Sequence, residues 1–314
     1  MQPTFFASSF GHWLIRALWL AGVAATAGAV WWVWSSDAVP TVPLYETGSR
    51  PVPVRPEGKP LRVLVASMVS PQSTLDRYRE LVALLAKLGG RQAQLQQRKS
   101  YFDANTAILN DETDLAFVCT GAYVQMSRLP RAPQPIAVPV VGGETIYRAV
   151  LIVRSDDSAA DWPAIRGRKM AFVDPLSLTG HLWARNYLHQ QATTEEAYFA
   201  STIYAGSHDR AIEAVADGLA DAATVDELVL RGLKRSRPDV ASRVKVIVTS
   251  EGFGIPPVVI PAARPAAERE RWTAALLSLH TTEEGRRTLA ALNIDRFVAL
   301  PPGHFESAAR IIEP

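Results

Sequence analysis

Cysteine is nearly absent. Cys119 is the only one in 314 residues, so no internal disulfide can form, and with no Cys-x-x-Cys pair and no His-x-x-x-His pair the chain carries no zinc signature. No charge of one sign prevails: Lys+Arg 33 against Asp+Glu 31 leaves +2, with both signs mixed throughout, which gives no broad basic field to attract nucleic acid. The Gly-x-Ser-x-Gly elbow of many serine hydrolases is missing, and no cofactor is expected. Apolar residues are not scarce. At 48% hydrophobic the chain can offset the entropy of ordering, which excludes general disorder, and its length leaves room for two lobes or one large domain.

Long apolar runs are also rare, with one exception. Ala17 to Trp34 (ALWLAGVAATAGAVWWVW) is uncharged and close to the length that spans a bilayer as a helix. Arg16 precedes it and no acid does, so the body after Trp34 is expected on the extracytoplasmic side. Five of the eight tryptophans (Trp13, Trp19, Trp31, Trp32, Trp34) lie at or near its ends, where headgroups favour amphipathic rings. Residues 1–34 are therefore read as a transmembrane anchor. The alternative is a signal peptide cut after Ala27-Gly28-Ala29, which would leave VWWVW at the mature end. Residues 35–60 carry prolines at 40, 43, 51, 53, 56 and 60 and read as a semi-rigid, polyproline-like tether.

From Leu61 onward short β-branched runs alternate with amphipathic helices. Leu61 to Ala66 reads as a strand, followed by a helix over Ser73 to Leu88 with Leu75, Tyr78, Leu81, Val82, Leu85 and Leu88 on one face, ended by Gly89-Gly90. A strand (Gln92 to Gln96), a helix (Tyr101 to Leu109) and a strand (Leu115 to Cys119) complete a βαβαβ order. Further strands are expected at Ala149 to Val153, Met170 to Val173, Ser201 to Tyr204, Asp221 to Val225 and Val244 to Val248. Helices are expected from about Thr179, at Asp209 to Ala216, around Glu227 to Lys234, at Ala266 to Leu279 and at Glu283 to Leu292. The fold class is α/β, with a chain that leaves one sheet, builds a second and returns. Lobe 1 is expected over 61–150 and 248–314, lobe 2 over 151–247, with a ligand cleft between them.

Asp174-Pro175-Leu176-Ser177-Leu178-Thr179-Gly180-His181 follows a buried strand and opens a helix. Ser177 and Thr179 suit helix capping, and free amides at such a turn form an anion seat. Ser207-His208-Asp209 opens the next helix, where His208 could donate to the same oxyanion and protonation would strengthen the bond. Asp226 follows the strand DAATV, where strand ends meet a cleft, and also suits a helix cap. Tyr101 and Tyr123 each stand near the start of a helix that follows a strand and could offer hydroxyls or fill the core. Ser177, His208 and Asp226 also stand in the order of a nucleophilic triad, which keeps a Ser-dependent hydrolase as an alternative.

Four stretches (RKSYFDANTAILNDETDLAFVCTGAYV, ETIYRAVLIVRSDDSAADWPAIRGRKMAFVDPLSLTGHLWARNYL, GSHDRAIEAVADGLADAATVDE and EEGRRTLAALNIDRFVAL) together resemble the periplasmic phosphate/phosphonate/phosphite-binding proteins that serve ABC transporters. The resemblance implies the two-lobed type II periplasmic-binding-protein fold, closing on a small oxyanion, and a transporter permease as partner. Matched by position, Ser177, Thr179, Gly180 and His181 correspond to its phosphonyl-binding helix start, and His208 to the histidine of its Gly-Ser-His-Asp segment. Tyr101 and Tyr123 correspond to ligand-contacting tyrosines, and Asp226 to a carboxylate facing the ligand. Leu178, where the family usually has a small hydroxylated residue, and Cys119-Thr120, in place of a more glycine-rich stretch, depart from the pattern. So does the anchor, which admits a second reading as a sensory module that signals to a partner at the membrane.

Overall fold

The computed structural model describes residues 58–312; the run Ala17–Trp34 and most of the proline-rich stretch lie outside them. The first sheet opens with β1 (Leu61–Val65), α1 (Pro71–Gly89), β2 (Ala93–Gln97), α2 (Tyr101–Leu109), β3 (Leu115–Phe117), α3 (Thr120–Met126) and β4 (Gln134–Val140). Proline at the first position of α1 costs no hydrogen bond, and Gly90 ends that helix in the left-handed region at φ 63°. After β4 the chain passes β5 (Ile146–Tyr147) into the second sheet: β6 (Ala149–Arg154), β7 (Lys169–Phe172), α4 (Trp183–Gln190), α5 (Glu195–Tyr198), β8 (Ser201–Tyr204), α6 (His208–Ala216), β9 (Ala222–Asp226), α7 (Glu227–Ser236), α8 (Pro238–Ala241) and β10 (Val244–Thr249). It returns through β11 (Phe253–Gly254) to β12 (Val258–Ile260), α9 (Ala266–Ser278), α10 (Glu283–Ala291), β13 (Arg296–Val298) and α11 (Glu306–Ile312).

The first sheet has the order β13-β4-β12-β3-β1-β2 and the second β10-β6-β9-β7-β8. The two crossings pair with each other as a short antiparallel ladder, Phe253 with Tyr147 and Gly254 with Ile146. Strand direction follows from the crossings. β12 arrives from the second sheet and so enters the first at the end where β3 leaves it, antiparallel to both β3 and β4. β6 likewise starts at the junction, and β9 runs antiparallel to it with β7 and β8 parallel to β9. The C-terminal ends of β1, β2 and β3 are thereby turned toward those of β7, β8 and β9.

Alternation along the strands divides the core. Leu61, Val63 and Val65 pack with Leu81 and Leu85 of α1 and with Trp272 and Leu276 of α9, whereas Leu64 and Ala66 face α2 and α3. In the second sheet Leu151, Val153, Met170 and Phe172 pack beneath Trp162, Ala184 and Leu188. The opposite face, with Val150, Ile152 and Ala223, belongs to the same continuous apolar cluster as Leu64 and Tyr101. That cluster joins the two sheets and places the junction out of water.

Candidate functional site

The turn after β7 caps itself. Ser177 is extended (φ −73°, ψ 120°), and its Oγ accepts from the Gly180 amide at 3.1 Å. Its carbonyl accepts from the amides of both His181 (3.0 Å) and Leu182 (2.9 Å), so the helix begins with a wide π turn, Leu178–Leu182, ahead of α4. Gly180 packs so closely that a Cβ there would stand 2.5 Å from Val173. The amides of Gly180, His181 and Leu182 are thus taken within the turn and do not belong to the seat of free amides expected there. His181 is turned to other work too. Its Nδ1 lies 3.0 Å from the Pro175 carbonyl, and its Nε2 lies 2.6 Å from Glu195 Oε1 and 3.2 Å from the Tyr204 hydroxyl.

The turn keeps its hydroxyls. Thr179 Oγ1, Tyr101 Oη and Tyr147 Oη are buried and find no well-formed hydrogen bond in the protein. They belong to one neighbourhood: Ser177 lies beside Tyr101, and Thr120 and Thr179 lie beside Tyr147. Burial, and then the nearby Cys119 thiol, push both phenols well above their ordinary range, so each is a hydrogen-bond donor at neutral pH. The Cys119 thiol is itself pushed up to about 11 by burial, which keeps it neutral and unreactive. A buried donor left without an acceptor costs about 1–3 kcal/mol, and the poorly aligned approaches within this cluster offset only part of that.

His208 and Asp226 stand together at the next strand ends. The Asp226 amide donates to His208 Nδ1 at 3.0 Å, which places the ring proton on Nε2. Burial lowers His208 to about 3, so the imidazole is neutral; the expected strengthening by protonation does not operate near neutral pH. Asp226 caps α7 through Oδ1, accepting from Leu228 at 2.6 Å, and burial raises its carboxyl to about 7. It also lines a cavity of about 140 Å³ between the two sheets, bordered by Met68, Tyr78, Val118 and Ile255.

This geometry does not assemble a triad. A serine-hydrolase histidine donates from Nδ1 to a carboxylate, whereas His208 Nδ1 accepts from a backbone amide, and Ser177 Oγ is engaged with Gly180. Tyr123 stands apart as well: its ring packs 4.7 Å from that of Phe305, beside the segment leading into α11. Of the sequence candidates, Tyr101, Ser177 and Thr179 come together around the unpaired hydroxyls, with His208 and Asp226 close by. Tyr147 was missed. Its position at a crossing between the sheets, just before β6, was the available signal.

Two sheets joined by a double crossing, with a buried polar junction between strand ends, define the periplasmic-binding-protein fold. The chain belongs to the phosphonate periplasmic substrate-binding protein family of ABC transporters, whose family model matches residues 63–304. Among solved structures it is similar to a binding protein component of an ABC phosphonate transporter from Pseudomonas aeruginosa, with a TM-score of 0.75 and 19% identity over 81% of this chain and 86% of that one. It is similar also to PhnD1 from Prochlorococcus marinus in complex with methylphosphonate, with a TM-score of 0.70 and 18% identity over 80% and 96% of the two chains. A curated relative, the phosphate-import protein PhnD of Mycolicibacterium smegmatis, is 27% identical over 184 residues; the match spans 55% of this chain and 57% of that protein.

Proposed function

We propose that the chain is an extracytoplasmic solute-binding protein that closes on a small tetrahedral oxyanion of the phosphonate or phosphate class and delivers it to an ABC transporter. Three buried hydroxyls that make no well-formed hydrogen bond in the protein, on Tyr101, Tyr147 and Thr179, carry this reading. A phosphonyl group offers several acceptor oxygens, and a donor that lacks an acceptor inside the protein gains most from such a ligand. Ser177 orients the turn and His208 offers an Nε2–H. Asp226, poised near neutrality, accepts from a protonated ligand oxygen and discriminates against fully ionised anions.

The two sheets act as lobes, residues 61–150 with 248–314 and residues 151–247, that separate to admit the ligand and shut over it. The uncharged run Ala17–Trp34 and the proline-rich segment after it support tethering to the inner membrane, with the binding body held on the periplasmic side. A permease is the partner that the family relationship suggests.

Thermal-shift measurements with methylphosphonate, phosphite, phosphate and sulfate test the proposal, since a ligand bound only by the native state raises the melting temperature. At least one phosphorus oxyanion is expected to raise it in the wild type and to have no effect on Thr179→Asp, where a carboxylate stands at the seat. A wild-type shift that persists in the variant would place the ligand elsewhere.

A further inference from the structure

Helix α1 starts at Pro71 behind Ser70, whose own side chain makes no capping bond. The cap comes from the other sheet. Asp209 accepts from the Ser70 amide at 2.9 and 3.1 Å through its two oxygens and from the Ser73 hydroxyl at 3.1 Å, although it lies more than 130 residues away in sequence. On its own side Asp209 is fixed by the Ser207 hydroxyl at 2.6 Å and the Arg210 amide at 3.1 Å. Asp174 repeats the arrangement at α2: one oxygen accepts from the Leu176 amide of its own turn at 2.9 Å, the other from the Tyr101 amide across the junction at 3.0 Å. Both carboxylates are buried.

The start of a helix suits this contact, because its first amides have no intrahelical acceptor and the helix dipole favours negative charge there. Each carboxylate therefore has one set of bonds that survives separation of the sheets and one that does not. We propose that Asp209, seconded by Asp174, is a latch that holds the two lobes closed and sets how long a bound oxyanion is retained. This rests on the reading of the two sheets as lobes that open and shut. In the open form the start of α1 loses its cap and the carboxylate is hydrated, so the bonds across the junction contribute to closure alone. Association occurs through the open form, and the latch bears on release.

The test uses the full chain carrying Leu88→Cys and Leu219→Cys, at exposed positions on opposite lobes, for a distance label, together with stopped-flow kinetics with methylphosphonate. Asp209→Ala is expected to shift the ligand-free distance distribution toward longer separations. It should raise the dissociation rate roughly tenfold, the scale of one to two charge-assisted hydrogen bonds, and leave the association rate within about twofold. Ser73→Ala, on the opposite lobe, should act in the same direction and more weakly, and should add nothing to Asp209→Ala. An unchanged distance distribution and dissociation rate in Asp209→Ala would overturn the latch. If the wild type binds no phosphorus oxyanion, the functional reading fails, while the ligand-free distances still decide the latch.

Discussion

The helix starts of the two sheets are satisfied in two ways, by their own turns and from across the junction. In the second sheet three turns serve themselves, Ser177 binding the Gly180 amide, Thr194 the Ala197 amide and Asp226 the Leu228 amide, while α6 is met from the first sheet, its His208 amide donating to the Met68 carbonyl at 3.0 Å. In the first sheet α1 is completed from across the junction by Asp209, and α2, capped locally by Ser100 Oγ accepting from the Asp103 amide, gains a further acceptor there in Asp174. At α3, Gly121 lies so close to the Leu176–Leu178 turn that the two backbones nearly touch. A self-satisfied turn keeps its shape when the sheets part, and its remaining hydroxyls can be presented to a ligand. A turn completed by the other sheet reports on whether the sheets are together. On the proposed function, the self-satisfied turns would present hydroxyls to a ligand and the turns met from across the junction would respond to closure.

The largest effect is expected where that division is most crowded. A Cβ added at Gly121 would stand 2.5 Å from the Leu176 carbonyl oxygen and 2.9 Å from the Leu178 nitrogen, both backbone atoms of the opposite side. Gly121→Ala should therefore obstruct closure while each sheet still folds. Calorimetry with methylphosphonate should show at least a tenfold loss of affinity, with far-ultraviolet circular dichroism unchanged. Retained affinity would mean that the two turns need not approach so closely in the bound form.

A smaller effect separates His208 from Asp226 by pH. His208 is held at about 3 in the folded chain against 6.5 for an unperturbed histidine, so below about 6.5 the unfolded chain binds the extra proton and stability falls as pH falls. Asp226 is raised to about 7 against 3.8, so between those values the folded chain holds the extra proton and stability falls as pH rises. The two slopes oppose each other over about pH 4 to 6.5. Relative to wild type, Asp226→Asn should make the urea midpoint climb more steeply with pH across this window, and His208→Gln should make it decline. If both variants kept the wild-type slope, neither group would be buried as described.

Much of this architecture was legible in the sequence. The α2 expectation of Tyr101 to Leu109 matches the observed helix, and the strands at Ala149, Met170, Ser201 and Val244 lie within a residue or two of their observed ends, because apolar alternation and capping residues are local signals. The antiparallel placement of β12 and the β5–β11 ladder were not legible, since they depend on how the chain crosses between the sheets. At the site, Thr179 and Tyr101 stood out as hydroxyls beside helix starts. What the turn does with its amides did not, because a π turn with Gly180 packed on Val173 is fixed by tertiary contact. His181 matched the phosphonyl-binding helix start by position, but its Nε2 is held by Glu195, fourteen residues on. Tyr147 and Asp209 take their partners from elements distant in sequence, Asp209 from Ser70 and Ser73 of the other sheet.

The hydroxyls themselves give the sharpest experiment. Tyr147→Phe and Thr179→Val each remove a buried donor that makes no well-formed hydrogen bond in the protein, so the ligand-free melting temperature should change little while affinity for methylphosphonate falls about tenfold per hydroxyl. The double variant, measured by isothermal titration and thermal unfolding together, should be close to wild type in stability and bind negligibly. A double variant that is destabilised and binds as tightly as wild type would show these hydroxyls to be part of the core and contradict the account.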